Sequence, residues 1–272
     1  MKSLPVAIQV YSVRDDAAKD YLGTLKKLKA MGYDGVELAG TLDFTPEQMK
    51  GMLAEAGLIA VSAHVPLGEF DVSVEGTVKK YKAIGCEYIA LPFLPDNMRP
   101  HACDFDTTVA RIREIGEACK AHGVVFAYHN HDFEFVKMAD GTYCLDYIYK
   151  HVPPELLQVQ PDVCWIHVSG EDPAAYIRKY PGRCPMVHLK DYLGEKSEGM
   201  YKLMDEADDA AKDGGGFRFR HVGAGRVNIP EVLAASLEAG AKWVIVEQDM
   251  SITAPMIEEV KSSRDYLKSL GW

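Results

Sequence analysis

Eight short apolar runs, each followed by a segment of helical period, recur along almost the whole chain, and this alternation restricts the fold more than any other feature. The runs cover residues 6–11, 35–38, 58–64, 88–92, 124–129, 157–162, 185–188 and 243–247. Runs this short, rich in Val, Ile and Leu and bounded by turn residues, read as buried parallel strands. The segments between them, 21–31, 45–57, 74–85, 106–122, 143–150, 172–180, 230–239 and 252–270, place apolar residues at helical spacing. Their ends carry the expected signals: Gly32 closes the first, and Thr45-Pro46 and Asp172-Pro173 pair a cap with proline at the first helical position. Strands that alternate with helices must run parallel, with the helices covering the sheet. Eight repeats in 272 residues predict a single-domain α/β fold, the (β/α)8 TIM barrel, which usually needs about 250 residues. The rival, a doubly wound open sheet, would place a glycine-rich phosphate turn after the first strand, and none is there. One long polar stretch, residues 192–227, follows the seventh run and is expected to be a lid-like insertion over the catalytic face.

Composition limits the partners. A net charge of −10 argues against a phosphate-backbone ligand, so no nucleic acid is expected. No apolar stretch approaches the roughly 20 residues that span a bilayer, so no membrane is expected either. The first residues enter a strand without a signal-peptide core, which points to the cytoplasm. Six cysteines, spaced singly without a C-x-x-C pair, fit reduced thiols better than a disulfide framework.

The fifth to eighth runs end in side chains that bind metals: His129, Asp162, His188 and Glu247. In a barrel those ends converge on one face, where catalytic groups are carried. Two imidazoles and two carboxylates there would hold one divalent ion, with Mn²⁺, Co²⁺ and Zn²⁺ suited about equally. Each residue also has a plainer reading. A lone histidine at a strand end is more often a satisfied core group, but His131 falls on the same side as His129. Asp162 could instead cap a helix, and Lys190 and Asp191 could form an ordinary ion pair at the rim. A carboxylate at Glu247, after three buried apolar residues, is costly unless paired or coordinated. Asp249, on the same side, could orient a ligand. Glu37 and His64 end strands two and three and fit substrate hydroxyls, though each alone is equally well structural. Trp165 could stack on a sugar ring, against the plainer reading of packing. Cys164 reads as a small buried residue. An ion at this position would acidify the C–H beside a carbonyl, and a nearby carboxylate could take that proton.

Several segments together resemble the xylose isomerase-like sugar phosphate isomerase/epimerase superfamily, which includes inosose isomerases, ketose 3-epimerases and, more distantly, endonuclease IV. They are Ile8-Gln-Val-Tyr-Ser-Val-Arg14, Gly32-Tyr-Asp-Gly-Val-Glu37, Ser62-Ala-His64, Tyr128-His-Asn-His-Asp-Phe-Glu-Phe135, Tyr180-Pro-Gly-Arg183, Val187-His-Leu-Lys-Asp191, Gly223-Ala-Gly225 and Val246-Glu-Gln-Asp249. The resemblance implies a metal-dependent isomerase or epimerase of a sugar, inosose or their phosphates. In such members Glu, Asp, His and Glu from strands five to eight hold the ion. Asp162, His188 and Glu247 match the last three, but His129 stands where the first glutamate, one of the epimerases' two proton-transfer bases, would be. That departure leaves room for a lyase working by β-elimination on a keto-sugar or keto-glycoside, with Glu247, Lys190 or His131 as acid or base. A non-catalytic sugar-binding barrel is the third reading. A repair nuclease is disfavoured, since it needs more ligands and a basic groove. Arg14, Lys190, Gly223 and Gly225 are the only candidates for binding a substrate phosphate, and a homodimer is one expectation for assembly.

Overall fold

The computed structural model describes residues 3–100, 102, 104–196 and 216–272. Eight of its strands form one parallel barrel: β1 (Val6–Gln9), β2 (Gly35–Ala39), β3 (Ile59–His64), β4 (Tyr88–Leu91), β5 (Val125–His129), β6 (Gln158–Gln160), β7 (Met186–Leu189) and β10 (Trp243–Val246). They pair in the order β6-β5-β4-β3-β2-β1-β10-β7. The last gap, between β6 and β7, is closed by a parallel bridge between Asp162 and His188 and by the bond from the His188 N–H to the Pro161 carbonyl, 2.9 Å. The eightfold alternation in the sequence is therefore an almost fully closed (β/α)8 barrel.

Side-chain alternation divides each strand between two environments. Ala7, Val61, Ala90, Ala127, Met186 and Ile245 fill the barrel interior with Tyr88, while larger residues pack outward against the helices. Beyond this apolar plug, the next inward positions are polar: Gln9, Glu37, His129, Gln160, His188 and Glu247 are all buried. The interior thus changes from apolar to polar toward the C-terminal ends of the strands.

Local chemistry moves several boundaries from those expected. Strand one stops at Gln9, whose side chain accepts the Tyr11 N–H and caps a 3-10 turn, Val10–Val13, followed by a short helix, Arg14–Lys19. Short helices Leu67–Val72 and Val163–Val168 are also additions, too brief to show a helical period. The last helix begins at Met256 because Pro255 cannot continue one backward. The cap at Thr45 is as expected, with Gln48 returning a bond to the Thr45 N–H. Of the insertion at 192–227, the described ends form an antiparallel ribbon, β8 (Asp191–Leu193) with β9 (Arg218–Arg220). Residues 197–215, on which the lid expectation mainly falls, lie outside the described residues.

Helix Phe105–Ala121 leaves no room for one side chain. A Cβ at Gly116 would lie 2.4 Å from the Leu156 carbonyl oxygen. In an exposed helix, Gly→Ala gains about 1 kcal/mol. Here the neighbour is backbone, so Gly116→Ala is expected to destabilise by about 1–3 kcal/mol. A thermal melt of the variant checks this; a raised Tm would refute it.

Candidate metal centre

Alternation aims three strands at one point. Inward positions run Ala127, His129, His131 on β5 and beyond; Met186, His188, Lys190 on β7; and Ile245, Glu247, Asp249 on β10. Asp162 joins them just past β6, its backbone N–H held by the Asn130 side chain at 3.0 Å. Ligand atoms of His129, Asp162, His188 and Glu247 all lie within 4.8 Å of one another. His129 Nε2 is 3.7 Å from Asp162 Oδ2 and 3.9 Å from Glu247 Oε2, and His188 Nδ1 is 3.0 Å from Glu247 Oε2. An ion with bonds of about 2.0–2.2 Å holds four tetrahedral ligand atoms roughly 3.4 Å apart. These spacings suit such an ion. Asp162 shows the same fit in its bonding. Its Oδ1 caps helix Val163–Val168 by accepting the Cys164 and Trp165 N–H groups at 2.9 and 3.1 Å, while Oδ2, also buried, accepts no hydrogen bond. The cap and the ligand are two uses of one carboxylate.

The charges around this point are strongly coupled. Burial, then the neighbouring His188 and His64, hold the His129 imidazole well below its usual pKa and therefore neutral. Burial likewise pushes His131 down to about 3, with Lys190 adding to the effect. For His188, burial favours the neutral ring, but Glu37 and Glu247 on either side outweigh it and raise the pKa to about 10. Lys190, only 1% exposed, reaches three carboxylates: Asp249 at 2.9 Å, Glu247 at 3.0 Å and Asp162 at 3.5 Å. Despite burial, those carboxylates hold its ammonium well above the usual lysine range.

Behind the ligands lies a layer that sequence reading identified only in part. The Glu37 carboxylate accepts from Gln9, His188 and Gln160 and lies 2.9 Å from His64 Nε2. Gln9 and Gln160 carry no signal in the sequence beyond a polar inward position. Glu134 is a second buried carboxyl; it accepts the Tyr128 hydroxyl at 2.6 Å and the His131 backbone N–H at 2.7 Å. Burial raises its pKa to about 8, and its two acceptor oxygens brace the turn carrying His131.

Other expectations are corrected. Trp165 does not offer a face to sugar: it is fully buried, stacked on Phe217 with ring centres 6.2 Å apart and edge-on to Phe219. Lys190 and Asp191 do not pair with each other, because successive residues of a strand point to opposite sides. Lys190 faces the carboxylates, whereas Asp191 accepts the backbone N–H groups of Tyr192, Gly223, Gly225 and Val227 at 2.9–3.1 Å. The glycine pair is therefore a cradle already filled by the protein's own carboxylate. A Cβ at Gly225 would lie 2.1 Å from Asp191 Oδ1, which accounts for the glycine. Arg14 donates to the Asp249 and Tyr11 carbonyls at 2.7 and 3.0 Å. Every residue considered for phosphate is thus engaged internally. Cys164 is buried, and burial pushes its thiol pKa up, as expected for packing.

A nearly closed parallel barrel with a His₂/carboxylate₂ cluster at its C-terminal face defines a class: a (β/α)8 protein with a group of side chains that could hold a divalent ion. Residues 25–270 match the family of xylose isomerase-like TIM barrels, and the chain belongs to that family. Among curated relatives, the inosose dehydratase of Geobacillus kaustophilus is 21% identical over 90% of this chain and 86% of its own. The inosose dehydratase of Salmonella agona is 25% identical over 71% of this chain, but this match spans only 60% of that enzyme. Among solved structures, a sugar phosphate isomerase/epimerase from Parabacteroides distasonis superposes with a TM-score of 0.80 at 20% identity, covering 99% of this chain and 97% of its own. Among the described residues no helix is long and apolar enough to cross a membrane.

Proposed function

We propose that this chain is a metal-dependent lyase that dehydrates an unphosphorylated keto-polyol, a keto-sugar or an inosose. The observation that carries this reading is an acid beside a base at the ligand cluster: the Lys190 ammonium lies 3.0 Å from Glu247, while the opposite strand end offers a neutral imidazole, His129, instead of a second carboxylate. A divalent ion bound by His129, Asp162, His188 and Glu247 would polarise the substrate carbonyl. Glu247 takes the proton from the carbon beside that carbonyl, and Lys190 supplies one to the hydroxyl leaving the next carbon. The C–H and C–O bonds break, a C=C bond conjugated to the carbonyl forms, and water departs. Asp249, bonded to Lys190, holds the ammonium on the reacting side. The inosose dehydratase relatives support this chemistry, and the internal use of Arg14 and the glycine cradle supports a substrate without phosphate.

Isomerisation or epimerisation is the second reading, favoured by the carboxylates Asp162 and Glu247, since it begins with removal of the same proton. Incubating Mn²⁺-loaded protein with inososes and keto-sugars in D₂O separates the readings. Dehydration is expected to yield an absorbing unsaturated ketone. Deuterium incorporated into a rearranged sugar without loss of water would establish isomerisation. Tight sugar binding with neither product would leave a binding barrel.

A further inference from the structure

We propose that Glu37 positions His188 for the metal and does not bind a substrate hydroxyl. The inference rests on the metal reading above and assigns a role to a residue that the ligand set does not include. Glu37 is wholly buried on β2, on the far side of His188 from Glu247. Its Oε1 lies 2.7 Å from His188 Nε2 and accepts the Gln9 amide at 2.9 Å, with His64 Nε2 also at 2.9 Å. Its Oε2 accepts the Gln160 amide at 2.6 Å. A carboxylate has about four lone-pair sites, and four donor groups from four other strands crowd onto this one. Three of these groups lie on Oε1 and one on Oε2, and with Glu37 wholly buried no face of the carboxylate is open to a sugar hydroxyl.

The consequence falls on His188. Glu37, 2.7 Å from Nε2 and outside the ligand set, keeps the proton on that nitrogen, so an ion would bind at Nδ1 in place of the proton that Nδ1 shares with Glu247. Nδ1 is the atom that faces Glu247, at 3.0 Å. Glu37 therefore selects the tautomer and fixes the ring plane, as carboxylates behind metal-bound histidines generally do. The partners are themselves held. Gln9 uses its oxygen on the Tyr11 N–H at 3.0 Å, so its amide must present nitrogen to Glu37. The Gln160 oxygen lies 3.0 Å from His64 Nε2, which orients its amide in the same way.

The test is calorimetric titration of Zn²⁺ into metal-free wild type and Glu37→Gln, alongside sugar binding at saturating Zn²⁺. Loss of the positioning carboxylate is expected to weaken Zn²⁺ about 10–100-fold while leaving sugar affinity of the loaded protein within about twofold. Equal Zn²⁺ affinity with weakened sugar binding would overturn the inference and return Glu37 to the substrate, with the metal reading intact. A wild type that binds no ion would remove both. Should the variant not fold, ¹⁵N-histidine spectra of the Zn²⁺-loaded wild type decide: His188 protonated on Nε2 and metallated on Nδ1 supports the inference, and the reverse refutes it.

Discussion

Glu247→Gln is expected to lower turnover by about 10²–10⁴-fold, the usual cost of losing a general base, and to weaken the bound ion at the same time. Glu247 Oε2 lies where three groups meet: His188 Nδ1 at 3.0 Å, Lys190 Nζ at 3.0 Å and His129 Nε2 at 3.9 Å. Glutamine fills the same volume but removes the charge, so it takes away a ligand and a proton acceptor together. The fold should survive, because Asp162 and Asp249 still face the Lys190 ammonium. Metal content and single-turnover rate of the purified variant are the measurements. Full metal content with undiminished turnover would exclude Glu247 from both roles.

Asp191→Ala is expected to be the most destabilising change near the site, although Asp191 faces away from the ligands. One carboxylate satisfies four backbone N–H groups across the ribbon and the loop that follows it. Each buried donor left without a partner costs about 1–3 kcal/mol. Some amides will find water, so the sum is smaller than four separate losses, about 3–5 kcal/mol. For a chain of this size that corresponds to a Tm lower by roughly 10 °C. Thermal melts of the variant check it, and a shift below about 2 °C would show that the loop holds itself. Asp191→Asn keeps one acceptor oxygen and should fall between the two.

The barrel and the convergence of its candidate metal ligands were legible in the sequence for a common reason. Strands buried on both faces are continuous apolar runs, so a polar residue ending such a run stands out, as His129, His188 and Glu247 do. The plainer readings were harder to weigh because one residue can serve two purposes. Asp162 caps a helix only six residues long, too short to leave a period, and still turns its second oxygen to the cluster. Residues deeper in the site gave less signal. Gln9 and Gln160 are ordinary amides until the strands place them against Glu37. Trp165 misled because its sequence position says nothing about what covers it: Phe217 and Phe219 reach it only through the β8–β9 ribbon, whose pairing spans a long insertion. For Lys190 and Asp191 adjacency leaves an ion pair open, and the backbone turns the two side chains apart.

The join between β6 and β7 gives the ligand cluster a mechanical meaning. Seven neighbouring strand pairs make up the sheet, whereas β6 and β7 meet at the bridge between Asp162 and His188, and those two residues are both candidate ligands. An ion drawing their side chains together would act as a rivet across the seam of a cylinder otherwise woven shut. Binding energy and closure of the wall then become a single quantity, because the unfolded chain offers no preformed site. Removal of such an ion would then loosen the wall first at this seam, beneath the candidate acid and base.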